Sequence, residues 1–159
     1  MLKQKALSNQ MPIAIKDSKI DITSEKLTKE LAKEFTKYLK GGEFVFLYGE
    51  MGVGKTTFVK YFINEYQKIN NLTQTEITSP TFSLLNEYQV TDIRIKHYDL
   101  FRINRKKDID NLDIFEKDNK LITLIEWPQL LTDTQNIKSI DLTFNYLNDL
   151  NDRSVDIKV

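Results

Sequence analysis

The chain has 159 residues, enough for about one domain with a single core and no room for a second. Hydrophobic residues at 40% and charged residues at 29% exclude a disordered, collagen-like or membrane-spanning chain. With 23 Lys+Arg against 23 Asp+Glu the net charge is zero, so the molecule has no overall positive field for nucleic acid or anionic membrane. Any RNA connection must be local or pass through a partner.

Cysteine is absent, which removes disulfides, thiolate zinc sites and cysteine nucleophiles, and predicts a cytoplasmic protein. The single histidine, His97, cannot build a multi-histidine metal centre. A metal here would be a hard cation on oxygen ligands and phosphate, as Mg²⁺ is. Met1 to Gln10 has lysines but no apolar h-region, and no stretch reaches the roughly 18 apolar residues of a spanning helix. Neither a secretory signal nor a membrane anchor is expected.

In chain order, Ile13 to Ile22 reads as an early edge strand or extended arm. Thr23 and Ser24 supply N-cap hydroxyls for a helix whose apolar stripe is Leu27, Leu31, Phe35 and Leu39, stopped by Gly41-Gly42. Glu43 to Tyr48 is almost wholly apolar, the pattern of a strand buried on both faces. A glycine-rich segment follows, then a helix over Thr57 to Lys68. Phe82 to Val90 reads as one extended run. With Thr91-Asp92 as a break and Ile93 to Lys96 alternating, it predicts a β-hairpin whose second strand is polar and less central. Asn104 to Lys117 fits a short helix or an ordered loop, and Leu121 to Ile125 is a second central strand ended by Pro128. Ile140 to Phe144 and Val155 to Val159 alternate as half-buried strands.

Gly49-Glu50-Met51-Gly52-Val53-Gly54-Lys55-Thr56 matches the P-loop (Walker A) pattern G-x-x-x-x-G-K-[ST] between a predicted strand and a predicted helix. Glycines there let successive N–H groups curl around phosphate oxygens at the positive end of the helix. Lys55 then reaches the β- and γ-phosphates and the Thr56 hydroxyl ligates Mg²⁺. Such an enzyme also needs a carboxylate at the end of a neighbouring strand. Glu126 ranks first for the metal, and Asp99 second, acting on the attacking water.

Ser79-Pro80-Thr81-Phe82 is either a plain turn or a switch segment whose Thr81 senses the γ-phosphate or its metal. His97 lies two residues from Asp99, on the same face of a strand, so the pair either frames a water or His97 is structural. Arg102, Arg105, Lys106 and Lys107 form a basic cluster, either a solvated surface or a contact to phosphate or an acidic partner. Trp127 reads first as buried core, with nucleotide or partner contact as the alternatives.

Four ordered segments together carry a specific likeness: Gly49 to Phe58, Ser79 to Phe82, His97-Tyr98-Asp99-Leu100-Phe101-Arg102, and Ile125-Glu126-Trp127-Pro128. They resemble the TsaE (YjeE) family, small bacterial P-loop ATPases required for threonylcarbamoyladenosine in tRNA. The resemblance implies an α/β fold, a single P-loop NTPase domain over residues 1–159, with a central mixed sheet flanked by helices and a flexible lead-in at 1–12. It implies ATP and Mg²⁺ as ligands and weak ATPase activity linked to the TsaD and TsaB proteins, with tRNA reached indirectly through that complex. Hydrolysis would drive or reset the complex, while TsaD transfers the threonylcarbamoyl group. Residue by residue, Thr56 and Glu126 resemble the metal ligands. Glu50, Met51, Gly52, Val53, Gly54 and Lys55 resemble the phosphate cradle, adjoined by Thr56 and Thr57, and Asp99 and Thr81 the further active-site groups. Ser24, Asp152 and Arg153 correspond to nucleotide contacts at the first helix and near the last strand. Two segments depart from the family: Leu31-Ala32 stands where Leu-Gly is usual, and Asn111 to Phe115 where an acidic-aromatic segment begins with Gly.

Two other readings compete with a coupled ATPase. One is a P-loop small-molecule kinase, which needs an acceptor pocket and a lid, and the chain after Trp127 has no obvious lid. The other is a nucleotide-dependent binding module in which hydrolysis plays no part.

Overall fold

Apolar runs flanked by glycine and helical stripes become one twisted sheet with helices on it in the computed structural model, which describes residues 18–132 and 134–159. The lead-in expected at 1–12, and the 13–17 part of the early extended stretch, lie outside the described residues. The elements are β1 (Lys19–Asp21), α1 (Glu25–Phe35), β2 (Phe44–Tyr48), α2 (Lys55–Ile69), β3 (Leu85–Val90), β4 (Ile93–Asp99), α3 (Lys106–Asp110), β5 (Leu121–Glu126), β6 (Ser139–Tyr146) and β7 (Arg153–Lys158), with a 3₁₀ turn at Pro128–Leu130. The strand order is β1-β7-β6-β2-β5-β4-β3. β6, β2, β5 and β4 are mutually parallel, while β3 at one edge and β7 and β1 at the other pair antiparallel.

β2 and β5 lie at the centre, which is why their sequences are apolar on both faces. One face packs Val45, Leu47, Ile95, Leu124 and Leu142 against α1 and α2, with the Phe35 ring edge-on to Phe58 at 5.4 Å. The other packs Phe44, Phe46, Tyr98 and Ile125 under Ile109, Ile114 and Phe115 from the segment after β4. Each fully buried aromatic contributes roughly 1.5–3 kcal/mol of transfer free energy, so the two faces together hold the central strands in place.

Several boundaries differ from the sequence expectation, each for a local reason. Ser24 caps α1, accepting from the Leu27 N–H at 3.2 Å, but the helix ends at Phe35 rather than running to Leu39. Lys37 and Tyr38 donate to carbonyls three residues back, tightening the last turn, and Leu39 enters the core beyond the helix end. Gly41 follows with φ +126°, where a Cβ would collide with the Asn119 carbonyl.

The extended run expected from Phe82 starts only at Leu85. Leu84, at φ +68°, donates its N–H to the Pro80 carbonyl at 2.7 Å and closes a tight turn. β4 is less central than β2 and β5, as its sequence suggests, yet every residue except Arg94 is buried. Its basic side chains are covered by acids from the following loop: Lys96 Nζ lies 2.6 Å from Glu116, and Arg94 2.6 Å from Glu116 and 3.1 Å from Asp118. Of the 104–117 segment only α3 is helical. Among the described residues no helix is long and apolar enough to cross a membrane.

Candidate active site

Register brings the site together. Glu126, the last residue of β5, faces Leu47 of β2 on one side and Asp99, the last residue of β4, on the other. Parallel strands end together, so their C-terminal carboxylates share one rim with the loop leaving β2. That loop turns at Gly49, where φ is +137° and a Cβ would stand 2.6 Å from the Phe144 carbonyl. α2 then begins from Gly54 with no side-chain cap and no acid in its first turn. Its first N–H groups and its positive end are therefore open to an anion.

Lys55, only 4% exposed, folds back over this loop. Its ammonium donates to the Gly49 carbonyl and, at 3.1 Å, to the Glu50 carbonyl. It also lies 3.8 Å above the Trp127 ring. Burial pushes its pKa below the ordinary lysine range, opposed by Glu126 and then Asp99.

Glu126, 2% exposed, is the centre of a second set of contacts. The Thr56 hydroxyl stands 2.9 Å from Oε1 and 3.0 Å from Oε2. His97 Nε2 lies 2.8 Å from Oε1. Against a carboxylate, which only accepts, Nε2 is the donor of this contact, and Nδ1 has no hydrogen-bond partner among the described residues. His97 and Asp99 share a face of β4, as expected, and the imidazole makes its contact with Glu126.

Asp99 has its own partners. Thr81 Oγ1 donates to Oδ2 at 3.0 Å, Ser79 Oγ lies 2.7 Å from Thr81 Oγ1, and the Phe101 N–H donates to Oδ1 at 3.0 Å. Ser79 to Phe82 is thus a turn, and it delivers Thr81 to a strand-end carboxylate.

These groups line one open cleft of about 260 Å³, walled by Met51, Gly52, Gly54, Lys55, Thr56, Thr57, Thr81, Asp99, Phe101, Glu126 and Trp127. Of the expected cradle, Glu50 points away and is exposed, and Val53 is turned into the core at 1% exposure, leaving only its backbone to the loop. Ser24, Asp152 and Arg153 do not line the cleft. Thr23 Oγ1 accepts from the Arg153 N–H at 3.1 Å, Arg153 lies over Tyr146 at 5.5 Å, and the Tyr146 hydroxyl borders Gly52, so of the three Arg153 is linked to the P-loop through Tyr146. In the basic cluster, Arg105 pairs with Asp108 at 2.9 Å and Arg102 lies over the exposed Phe82 ring at 4.9 Å.

Trp127 is half-buried rather than core, held at φ +58° with its ring 4.9 Å from Phe101. Sequence leaves Trp127 between core and nucleotide or partner contact, and does not single out Tyr146. The cue for Trp127 was its place directly after Glu126, at the strand end; Tyr146, in the middle of an alternating run, gives no such cue.

A hydroxyl and a buried carboxylate, in contact and beside a helix N-terminus, are hard oxygen donors. Among the described residues no group of three or more His, Cys, Asp or Glu side chains forms a metal cage. Thr56 and Glu126 therefore fit Mg²⁺ of the kind that takes its remaining ligands from phosphate and water.

The family model described as threonylcarbamoyl adenosine biosynthesis protein TsaE matches residues 22–155. The tRNA threonylcarbamoyladenosine biosynthesis protein TsaE of Rickettsia typhi is 39% identical over 110 residues, 69% of this chain and 74% of that protein. The protein of the same name from Rickettsia bellii is 35% identical over 84% of this chain and 90% of its own length. The crystal structure of Bacillus subtilis YdiB superposes with a TM-score of 0.69 at 23% identity, covering 92% of this chain and 87% of that one, and has the same P-loop NTPase fold.

Proposed function

This chain belongs to the TsaE family of threonylcarbamoyl adenosine biosynthesis proteins, and within that role in tRNA modification we propose that it is a Mg²⁺-dependent ATPase. One observation carries the reading: the P-loop hydroxyl of Thr56 touches both oxygens of the buried strand-end carboxylate of Glu126, at 2.9 and 3.0 Å. A P-loop that only turned the chain would have no use for a buried carboxylate there.

The phosphates lie along the N–H groups that open α2, with the Lys55 ammonium turned from the loop carbonyls to the β- and γ-phosphates. Thr56 and Glu126 would hold Mg²⁺, whose charge would offset that developing on the phosphates. Asp99, oriented by Thr81 and the Phe101 N–H, positions the attacking water. Trp127 and Phe101 cover one side of the cleft and limit water entry. Arg153, linked to the P-loop through Tyr146, takes the nucleoside end together with Ser24 and Asp152. Hydrolysis drives or resets a complex with the TsaD and TsaB proteins in the cytoplasm, and tRNA is reached through that complex.

The test is ATP hydrolysis by the purified chain with Mg²⁺, alone and with its cognate TsaD and TsaB. Slow turnover alone and faster turnover with the pair is the expected result. ATP binding without hydrolysis under either condition would point to a binding module, and phosphoryl transfer to a small acceptor to a kinase.

A further inference from the structure

We propose that His97 is a positioning residue for Glu126, fixing the rotation of its carboxylate so that one oxygen is committed to the protein and the other is presented to the Mg²⁺ site. The inference rests on the Mg²⁺-ATP reading of the cleft.

Three observations carry it. The Thr56 hydroxyl has a single hydrogen and stands almost equally far from the two oxygens, 2.9 and 3.0 Å, so it does not choose between them. The terminal torsion of a glutamate is broad and roughly two-fold, so nothing in the side chain chooses either. His97 does choose: its Nε2 lies 2.8 Å from Oε1, and its contact is with that oxygen alone.

The second observation is burial. His97 is 0% exposed, and its Nδ1 has no hydrogen-bond partner among the described residues. A leucine or phenylalanine would fill such a position without stranding an acceptor. What imidazole adds here is the Nε2–H donated to Glu126.

The third is support. His97 lies in β4, paired with Leu124 of β5 and Asn86 of β3, so its backbone is fixed from both sides. A donor on a central strand holds a fixed position, as outer groups that orient metal ligands must.

The experiment compares His97→Gln, whose amide nitrogen reaches as far as Nε2, with His97→Asn, whose amide stops short. ATP affinity is measured by calorimetry in EDTA and across a Mg²⁺ titration, with thermal unfolding recorded for each variant. For His97→Asn the Mg²⁺ concentration needed for tight ATP binding should rise about tenfold or more, with affinity in EDTA within about twofold of the parent, and His97→Gln should restore most of the Mg²⁺ response. Imidazole ¹⁵N shifts of the parent chain should report the hydrogen on Nε2, a readout independent of either variant.

Equal Mg²⁺ responses in the parent and both variants would overturn the proposal. So would an equal loss in EDTA and in Mg²⁺ that follows the loss of thermal stability, which is the mark of a core residue, or a hydrogen found on Nδ1. If the parent chain itself shows no Mg²⁺-dependent ATP binding, the reading of the cleft fails rather than the role of His97.

Discussion

Thr56 and Glu126, seventy positions apart in the chain, meet with the hydroxyl of one spanning both carboxylate oxygens of the other. The contact joins the first turn of α2 to the end of β5, across the parallel pairing of β2 with β5. Glu126→Gln keeps the shape and gives up the charge. It should retain most metal-free ATP binding while lowering Mg²⁺-dependent turnover about 100-fold, measured by phosphate release. Turnover at the parental rate would move the metal role to Asp99.

Lys55→Ala removes the buried ammonium that faces the phosphates, and ATP affinity by calorimetry should fall about 100-fold. A pH profile gives a second check. Burial holds the Lys55 pKa below the ordinary lysine range, and only the charged form attracts phosphate. Affinity should therefore decline as pH rises through that lowered value, earlier than a solvent-exposed lysine would lose its proton, and the decline should be absent from Lys55→Ala.

Thr81→Val deletes the hydroxyl that donates to Asp99 Oδ2 and keeps the β-branched shape. With Asp99 then held only through Oδ1 by the Phe101 N–H, turnover should drop about tenfold with ATP affinity nearly unchanged. An equal loss in both quantities would make Thr81 a binding group.

Glu116 anchors the loop after α3 onto β4 by bonding Lys96 and Arg94 at 2.6 Å each. Lys96, and then Arg94, hold its carboxyl below the ordinary glutamate range. A carboxyl lowered in the folded state stabilises above its unfolded value and loses that contribution as pH falls through the lowered one. Glu116→Gln should thus melt several degrees below the parent at neutral pH, and the gap should close in acid. A gap independent of pH would contradict the ion-pair account.

Much of this was legible in the sequence because it depends on local pattern. The P-loop, the two central strands and the Ser24 cap follow from residue type and spacing, and they stand where the pattern puts them. The misreadings came from contacts made by distant residues. β4 reads as polar because Arg94 and Lys96 alternate with isoleucine, and Glu116 and Asp118, some twenty positions later, cover those cations. Strand spacing leaves His97 either structural or framing a water with Asp99, and its contact with Glu126, on the neighbouring strand, is not written in that spacing. Trp127 reads as core because tryptophans usually are, but its left-handed backbone turns the ring over Lys55.

Gly41 tests a feature of the fold away from the cleft. Its φ of +126° and the Asn119 carbonyl beside it leave no room for a Cβ. Gly41→Ala should destabilise the chain by about 2 kcal/mol or more in urea titration. A stability change within a few tenths of a kcal/mol would mean the turn can relax.

The central claim, that the cleft between the P-loop and Glu126 takes Mg²⁺-ATP, is most directly tested by the fluorescence of Trp127, the sole tryptophan of the chain and a wall of that cleft. Titrating ATP into the protein should give a saturable change that is tighter with Mg²⁺ than with EDTA and is lost in Lys55→Ala. No change in the parent chain, with calorimetry also showing no ATP binding, would contradict the account.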